Sequence, residues 1–373
     1  MIKIFENKQI LLAVLAAILL RLLIIFLFLG HGDLDNGSGF VENLNSQQDP
    51  LGMPYPIFSH IFPYYFADLF KFLNFNFSQG LRILTLASEV LLVISIHRLK
   101  IIKLKYLIYF IALNPFLILY TGLQGQIDLW AIAFTLLAIS EANKNRILRA
   151  AFLFSLACLI KPMVIISIFF FFNKNIKDNF NFLIIFSLTF IFPFLLTFNF
   201  YIILKNIFII FSYMTASKNE THIAWFLTDF TNTYSLILII FSIFFLKLYI
   251  KKTSDQFILI LPIVLLMKGG LSSQYFSWLI PLLIFNYKLG IISSFIFSMN
   301  YILSYFLPFF KTGSLVNSNA FALNNNLIGN NMVLIPFDDV SFNILYQIFS
   351  NISLFLILAN IIYFIYRGQK KNV

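Results

Sequence analysis

The chain has 373 residues, of which 60% are hydrophobic and 11% charged, against about 25% charged in ordinary soluble domains. Its mean hydropathy is +0.89, and apolar runs able to cross a hydrocarbon core of about 30 Å recur along it, which excludes a water-soluble domain and predicts a polytopic membrane protein. The formal charge of +11 reads as lysines and arginines crowding cytoplasmic loops, not as a nucleic-acid surface.

The single Cys158 excludes an internal disulfide framework and a cysteine-rich zinc site. His31, His60, His97 and His222 show no metal-ligand spacing. In chain order, "MIKIFENK" is basic and is expected in the cytoplasm. The run 10–30 lacks a small-residue cleavage pattern and is read as a retained span. The loop after it carries Asp33, Asp35, Glu42 and Asp49, with no Lys or Arg before Lys71, so it is expected to face outward. Inside it, "PYPIFSHIFPYYFADLFKF" is apolar, aromatic and broken by proline. Were it a span, the basic "HRLKIIKLK" would be forced outside, so it is read as an interfacial helix.

Spans follow at 81–96, 104–120 and 128–140, with "GLQGQIDLW" at the outer turn between the last two and basic "EANKNRILR" on the inside. "AAFLFSLACLIKPMVIISIFFFF" lies between two basic flanks. A pair of short helices turning at Lys161–Pro162 satisfies both flanks, because proline removes a donor and disfavours helical geometry at the residue before it. "FILILPIVLLMKGGLSSQYFSWLIPLLIF" repeats the device, breaking at residues 268–274. Spans at 182–201, 235–249, 289–309 and 344–366 complete the set, with outer loops at 202–231 and 311–343. The expected fold is a single all-α transmembrane domain, residues 1–373, with about 12 membrane helices, two short broken pairs and both termini cytoplasmic.

This topology gathers polar residues on one side: Asp33 and Asp35 with the rest of the 31–80 loop, Gln126 and Asp128, Lys161, and Lys268 through Gln274 to Tyr275. Arg21 lies within the first span. Ionisable groups in a bilayer cost at least about 2.5–3.5 kcal/mol each and are retained where they face a cavity or a partner. Each has a plainer reading as well. Asp128 caps the helix it precedes, Lys161 and Lys268 snorkel to the interface, Arg21 pairs with an acid for structure alone, and Asp33 and Asp35 are ordinary loop acids. A cavity of this kind suits transfer from a lipid-linked phosphate: a carboxylate takes a proton from an acceptor hydroxyl, and cations with helix ends hold the phosphate.

These segments resemble the GT-C glycosyltransferases, polytopic enzymes that use polyprenyl-phosphate sugars. They are most similar to the bacterial and archaeal branch with polyprenol-phosphate-mannose-dependent mannosyltransferases, and more distantly to the eukaryotic mannosyltransferase of glycolipid-anchor synthesis. The residues that carry the resemblance, in order, are Arg21, "GDL" (residues 32–34), "MPYPIFSHIFPYYF", "NPFLILYTGLQGQIDLWAIAFTLLAIS", "ACLIKPMVI" and "KGGLSSQYFSWLIPLL". The resemblance implies a GT-C-like fold with the interfacial helix in the first outer loop. It implies Asp33 as catalytic base with Asp35 as its close rival. It implies Lys161, Lys268 and Arg21 as ligands of the donor phosphate, and Gln126, Asp128, Gln274 and Tyr275 as the lining of the sugar and acceptor site. The implied donor is a polyprenyl-phosphate-linked sugar and the implied acceptor a glycolipid or glycan. A divalent cation (Mg or Mn) is compatible with the superfamily, although the sequence has no dedicated cage of ligands. The rival readings are a lipid or solute transporter or flippase, which also uses broken helices with charged residues near the midplane, an envelope polysaccharide polymerase or ligase, and a non-catalytic subunit of an envelope-polymer complex.

Overall fold

A computed structural model describes residues 8–27, 66, 69–125, 127–173, 175–197, 225–267, 273–312 and 339–370. Side chains are described for these except residues 162–163, 193–197, 225–236, 267, 273–274, 304–312, 339–343 and 368–370. Among the described residues there is no strand. Three helices are long and apolar enough to cross a membrane, and a fourth span is added if a bent pair is counted as one. The 12 spans, the expected interfacial helix (residues 54–72, of which few are described) and the outer loops 202–231 and 311–343 lie largely beyond what the described residues establish.

Helix α1 (Lys8–Leu27) is apolar all round, as a bilayer-facing helix is. Leu12 and Leu19 are each 65% exposed while Ile25 is buried, so one stripe packs inward and the rest suits lipid. Helix α2 (Phe77–Arg98) opens on a capping box written in "NFSQ": Asn76 Oδ1 accepts from the Gln79 amide at 2.7 Å, and Gln79 Oε1 accepts from the Asn76 amide at 3.2 Å.

The expected straight span 104–120 is instead two helices, α3 (Leu104–Ala112) and α4 (Pro115–Leu119), bent by 50°. The cause is the Asn-Pro pair. Pro115 occupies the first turn of α4 and holds Asn114 extended, at φ −69° and ψ 113°. Asn114 Oδ1 then accepts from the Leu117 amide at 3.1 Å, and its Nδ2 donates to Ser294 Oγ at 2.9 Å. A π-helical turn (Tyr120–Gln124) follows and closes at Gly125, whose φ of 62° is a conformation open to glycine at no steric cost.

Helices α5 (Asp128–Ala142) and α6 (Ile147–Ile160) pack side by side, with α5 also against α2 and α6 against α7 (Ile176–Thr197). The predicted break at Lys161–Pro162 is present: Lys161 is extended (φ −141°, ψ 100°) and a 3₁₀ segment (Pro162–Phe170) replaces the expected second α-helix. Nine residues of 3₁₀ structure is long for that geometry. Phe154, Phe171, Phe182 and Phe186 stack it against α6 and α7.

Helix α8 (Trp225–Tyr249) begins ten residues before the expected 235, and α9 (Thr253–Met267) carries Pro262 in its interior. The second predicted break falls on residues 268–272, outside the described residues, but it is flanked as expected by α9 and a 3₁₀ segment (Ser273–Leu279) leading into α10 (Ile280–Phe285). Helices α11 (Tyr287–Thr312) and α12 (Asp339–Lys370) form an antiparallel pair. Asn360 Nδ2 donates to Ser293 Oγ at 3.0 Å, and Asn300 Nδ2 to Ser350 Oγ at 2.8 Å. Such polar clasps give lipid-embedded helices the register that apolar contacts alone do not supply.

One residue beyond the expected 128–140 span, the Glu141 carboxylate is ringed by Lys144 at 3.3 Å, Arg146 at 3.3 Å and Arg98 at 3.6 Å. Burial works to raise its pKa, but hydrogen bonds and charge from Lys144 and Arg146 outweigh burial and hold it below the ordinary value of 4.5. A depressed carboxylate contributes stability that is present above its unfolded pKa and lost as pH falls through the folded one. Glu141→Gln is therefore expected to lower thermal stability at neutral pH by up to about 1 kcal/mol. The gap to wild type should close as pH drops through and below 4.5 in a detergent melting series. At Gly122, an added Cβ would lie 2.6 Å from Ile24 Cγ2. Gly122→Ala is expected to cost about 1–3 kcal/mol through overpacking, read in the same melt.

Candidate functional site

The helix break at Pro162 and the π turn bring three parts of the chain to one point. Asp128 is the first residue of α5, and Ile127, not Asp128, is the N-cap; no side-chain cap bond forms there. The capping reading of Asp128 is thus corrected: its carboxylate sits in the first turn, favoured by the helix dipole, but is directed elsewhere. Oδ1 lies 2.9 Å from Lys161 Nζ, close enough for an ion pair though without hydrogen-bond alignment. Oδ2 accepts from the Tyr120 hydroxyl at 3.2 Å. Tyr120 in turn meets the Ser277 side chain. Lys161 Nζ also stands 5.9 Å from the centroid of the Tyr275 ring, at the outer edge of cation–π range.

The pair is asymmetric. The Asp128 side chain is 1% exposed and that of Lys161 21%. The cation is therefore the more exposed member, and the buried carboxylate is its counter-charge. Beneath them lies an aromatic floor: Phe116 packs on Tyr120, Phe276 and Tyr301 with centroids 5.6–6.0 Å apart. This locks the π turn to the 3₁₀ segment that carries Tyr275.

Arg21 is placed in a separate network. Its Nε donates to Glu89 Oε1 at 3.0 Å, its Nη1 to the Ala17 and Ala112 carbonyls, and its Nη2 to the Ile111 carbonyl. Thr121 donates to the same Glu89 oxygen. Both side chains are almost wholly buried. This is the structural pairing that the plainer reading of Arg21 described, and it ties α1 and α2 to the bend at Leu113–Asn114. Asp33, Asp35, Gln126 and Lys268 lie outside the described residues, as does the side chain of Gln274. The structure therefore brings together Asp128, Lys161 and Tyr275 of the expected set, and sets Arg21 apart.

Sequence reading missed four contributors. Glu89 and Arg82 are ionisable residues inside an apolar helix, a signal in itself. Arg82 is 1% exposed and its Nη1 donates to the Gly122 carbonyl at 3.0 Å, bracing the π turn. Tyr120 and Ser277 look like ordinary core residues and gave no signal. Among the described residues, no group of three His, Cys, Asp or Glu is placed to hold a metal. No family model, no curated protein and no solved structure matches this chain.

Removing one member of a buried pair strands the other charge. Glu89→Ala is expected to cost about 3–5 kcal/mol, measured by denaturant or thermal unfolding in detergent. The double substitution Arg21→Met with Glu89→Met should recover most of that loss, since an apolar pair of similar volume is often neutral in place of an ion pair.

Proposed function

We propose that the protein is an integral membrane glycosyltransferase of GT-C type. It moves a sugar, mannose or another hexose, from a polyprenyl-phosphate donor to a lipid- or polymer-linked acceptor on the extracytoplasmic side. The observation that carries the reading is the Asp128–Lys161–Tyr275 constellation: a partly exposed cation paired with a buried carboxylate, beside an aromatic ring, where two helices are broken. The cation suits a phosphate, the ring suits a sugar face, and a site among lipid-facing helices suits a donor that arrives through the bilayer. The order of the motifs from Arg21 to Tyr275 supports the same reading.

In this scheme the acceptor hydroxyl oxygen attacks the anomeric carbon with inversion. Its proton passes to Asp33 or Asp35, the anomeric carbon–phosphate oxygen bond breaks, and polyprenyl phosphate leaves with the bonding pair. Lys161 and Lys268 bind the phosphate; Gln126, Asp128, Gln274 and Tyr275 line the sugar and acceptor site. Arg21, committed to Glu89 and three carbonyls, is left out of the phosphate set. The same scheme keeps about 12 spans with both termini cytoplasmic. A transporter or flippase is the second reading, favoured by the broken helix that carries an intramembrane charge.

The test is sugar transfer by purified protein in liposomes, with radiolabelled polyprenyl-phosphate sugars as donors and a membrane extract as acceptor. Wild type should transfer label. Loss of a general base costs about 10²–10⁴-fold, so Asp33→Asn or Asp35→Asn should fall by that much and thereby identify the base. Lys161→Met should lose about 10- to 100-fold, the worth of one charge-assisted contact to the phosphate. Absence of transfer with every donor, together with lipid or solute movement in the same vesicles, would replace this reading with the transporter.

A further inference from the structure

The two 3₁₀ segments and α9 enclose a small cavity lined by Ile166, Ser167, Ile260, Leu261, Val264 and Trp278. Its volume is about 10 Å³ for the centre of a water-sized sphere, close to the space one water molecule needs. Most of the wall is aliphatic, and a purely apolar void of this size stays dry. Two polar groups change that. Trp278 is 2% exposed, and its indole Nε1–H meets no acceptor among the described residues. Indole is a donor only, so it needs an acceptor to be satisfied. Ser167, also 2% exposed, brings a hydroxyl to the same wall.

We propose that this cavity is a binding site for one ordered water molecule, which accepts a hydrogen bond from Trp278 Nε1–H and donates one to Ser167 Oγ. An amide-like donor buried without a partner is costly enough that proteins satisfy it with ordered water where space allows. The water joins the 3₁₀ segment that begins next to Lys161 to the one that carries Tyr275. It thus braces the two segments that carry Lys161 and Tyr275, 5.9 Å apart from Nζ to ring centroid. The bridge rests on the cavity, the indole and the Ser167 hydroxyl and stands whether or not the chain transfers sugars.

The chain has three tryptophans, which permits a direct test. Full-length protein carrying ¹⁵N-indole tryptophan is placed in nanodiscs, and the three N–H signals are assigned by Trp→Phe substitution. Cross-relaxation from water is then recorded at mixing times short enough to separate it from hydrogen exchange. The expected result is a water cross-peak at the Trp278 indole proton that is lost in Ser167→Ala and kept in Ser167→Thr. Trp130, whose Nε1 donates to the Leu84 carbonyl at 3.0 Å, serves as the comparison signal. A Trp278 signal with no water cross-peak in the wild-type protein overturns the proposal. A cross-peak indifferent to Ser167→Ala also overturns it, because the bridge then ends elsewhere. Should Ser167→Ala not fold, the wild-type and Ser167→Thr spectra decide: a cross-peak in both supports the bridge, and its absence from either overturns it.

Discussion

A charge taken out of water into an apolar bundle needs a partner, and in this protein the supply of partners shapes the chain around it. The Asp128 carboxylate is 1% exposed. An ammonium lies 2.9 Å from it and a tyrosine hydroxyl donates to it. Bringing Lys161 there requires a helix to stop: α6 ends at Ile160, and Pro162 turns the backbone at Lys161 to an extended conformation. Bringing Tyr120 there requires a helix to widen, which the π turn from Tyr120 to Gln124 does. Both irregularities cost regular backbone hydrogen bonds. Their recurrence at one carboxylate argues that they serve it.

The two buried ion pairs differ in a way that separates structure from site. Arg21 and Glu89 are both almost completely enclosed, and the guanidinium spends its donors on one carboxylate and three carbonyls. The planar fork of arginine suits such many-sided bonding. Four of its five N–H donors are used within the fold, and the effect is to fix α1 against α2 and α3. Lysine is a point charge on a flexible stem. Lys161 is the exposed member of its pair and stands over an aromatic ring. The enclosed arginine pair is a girder, and the lysine pair, with its more exposed cation, is the one proposed above as a binding site.

Much of this was legible in the sequence where a residue type has one physical meaning. Pro162 after Lys161 announced the break, "NFSQ" announced the start of α2, and the longest apolar runs announced the three helices able to cross a membrane. Other features came from interactions between distant segments, to which local pattern is blind. Hydropathy reads 104–120 as one span, because the bend depends on Asn114 capping the next helix and reaching Ser294. The 3₁₀ geometry of residues 162–170 and the π turn leave hydropathy unchanged. Arg21 announced itself as a charge in a span, but its partner was hidden. Glu89 lies 68 residues further along the chain, and nothing local to either residue says that they meet. Asp128 looked like a cap because an acid at the start of a helix usually is one, and only the placement of Ile127 as the N-cap shows otherwise.

The proposed site requires Lys161 to face an outward, ligand-accessible space. Cysteine accessibility tests it most directly, because the native background is one buried cysteine, Cys158. Lys161→Cys is placed in sealed, oriented vesicles and treated with a charged, membrane-impermeant thiol reagent from each side in turn. The expected result is modification from the extracytoplasmic side, slowed by added polyprenyl phosphate, with the wild-type protein inert. Modification from the cytoplasmic side alone, or from neither side, would contradict it.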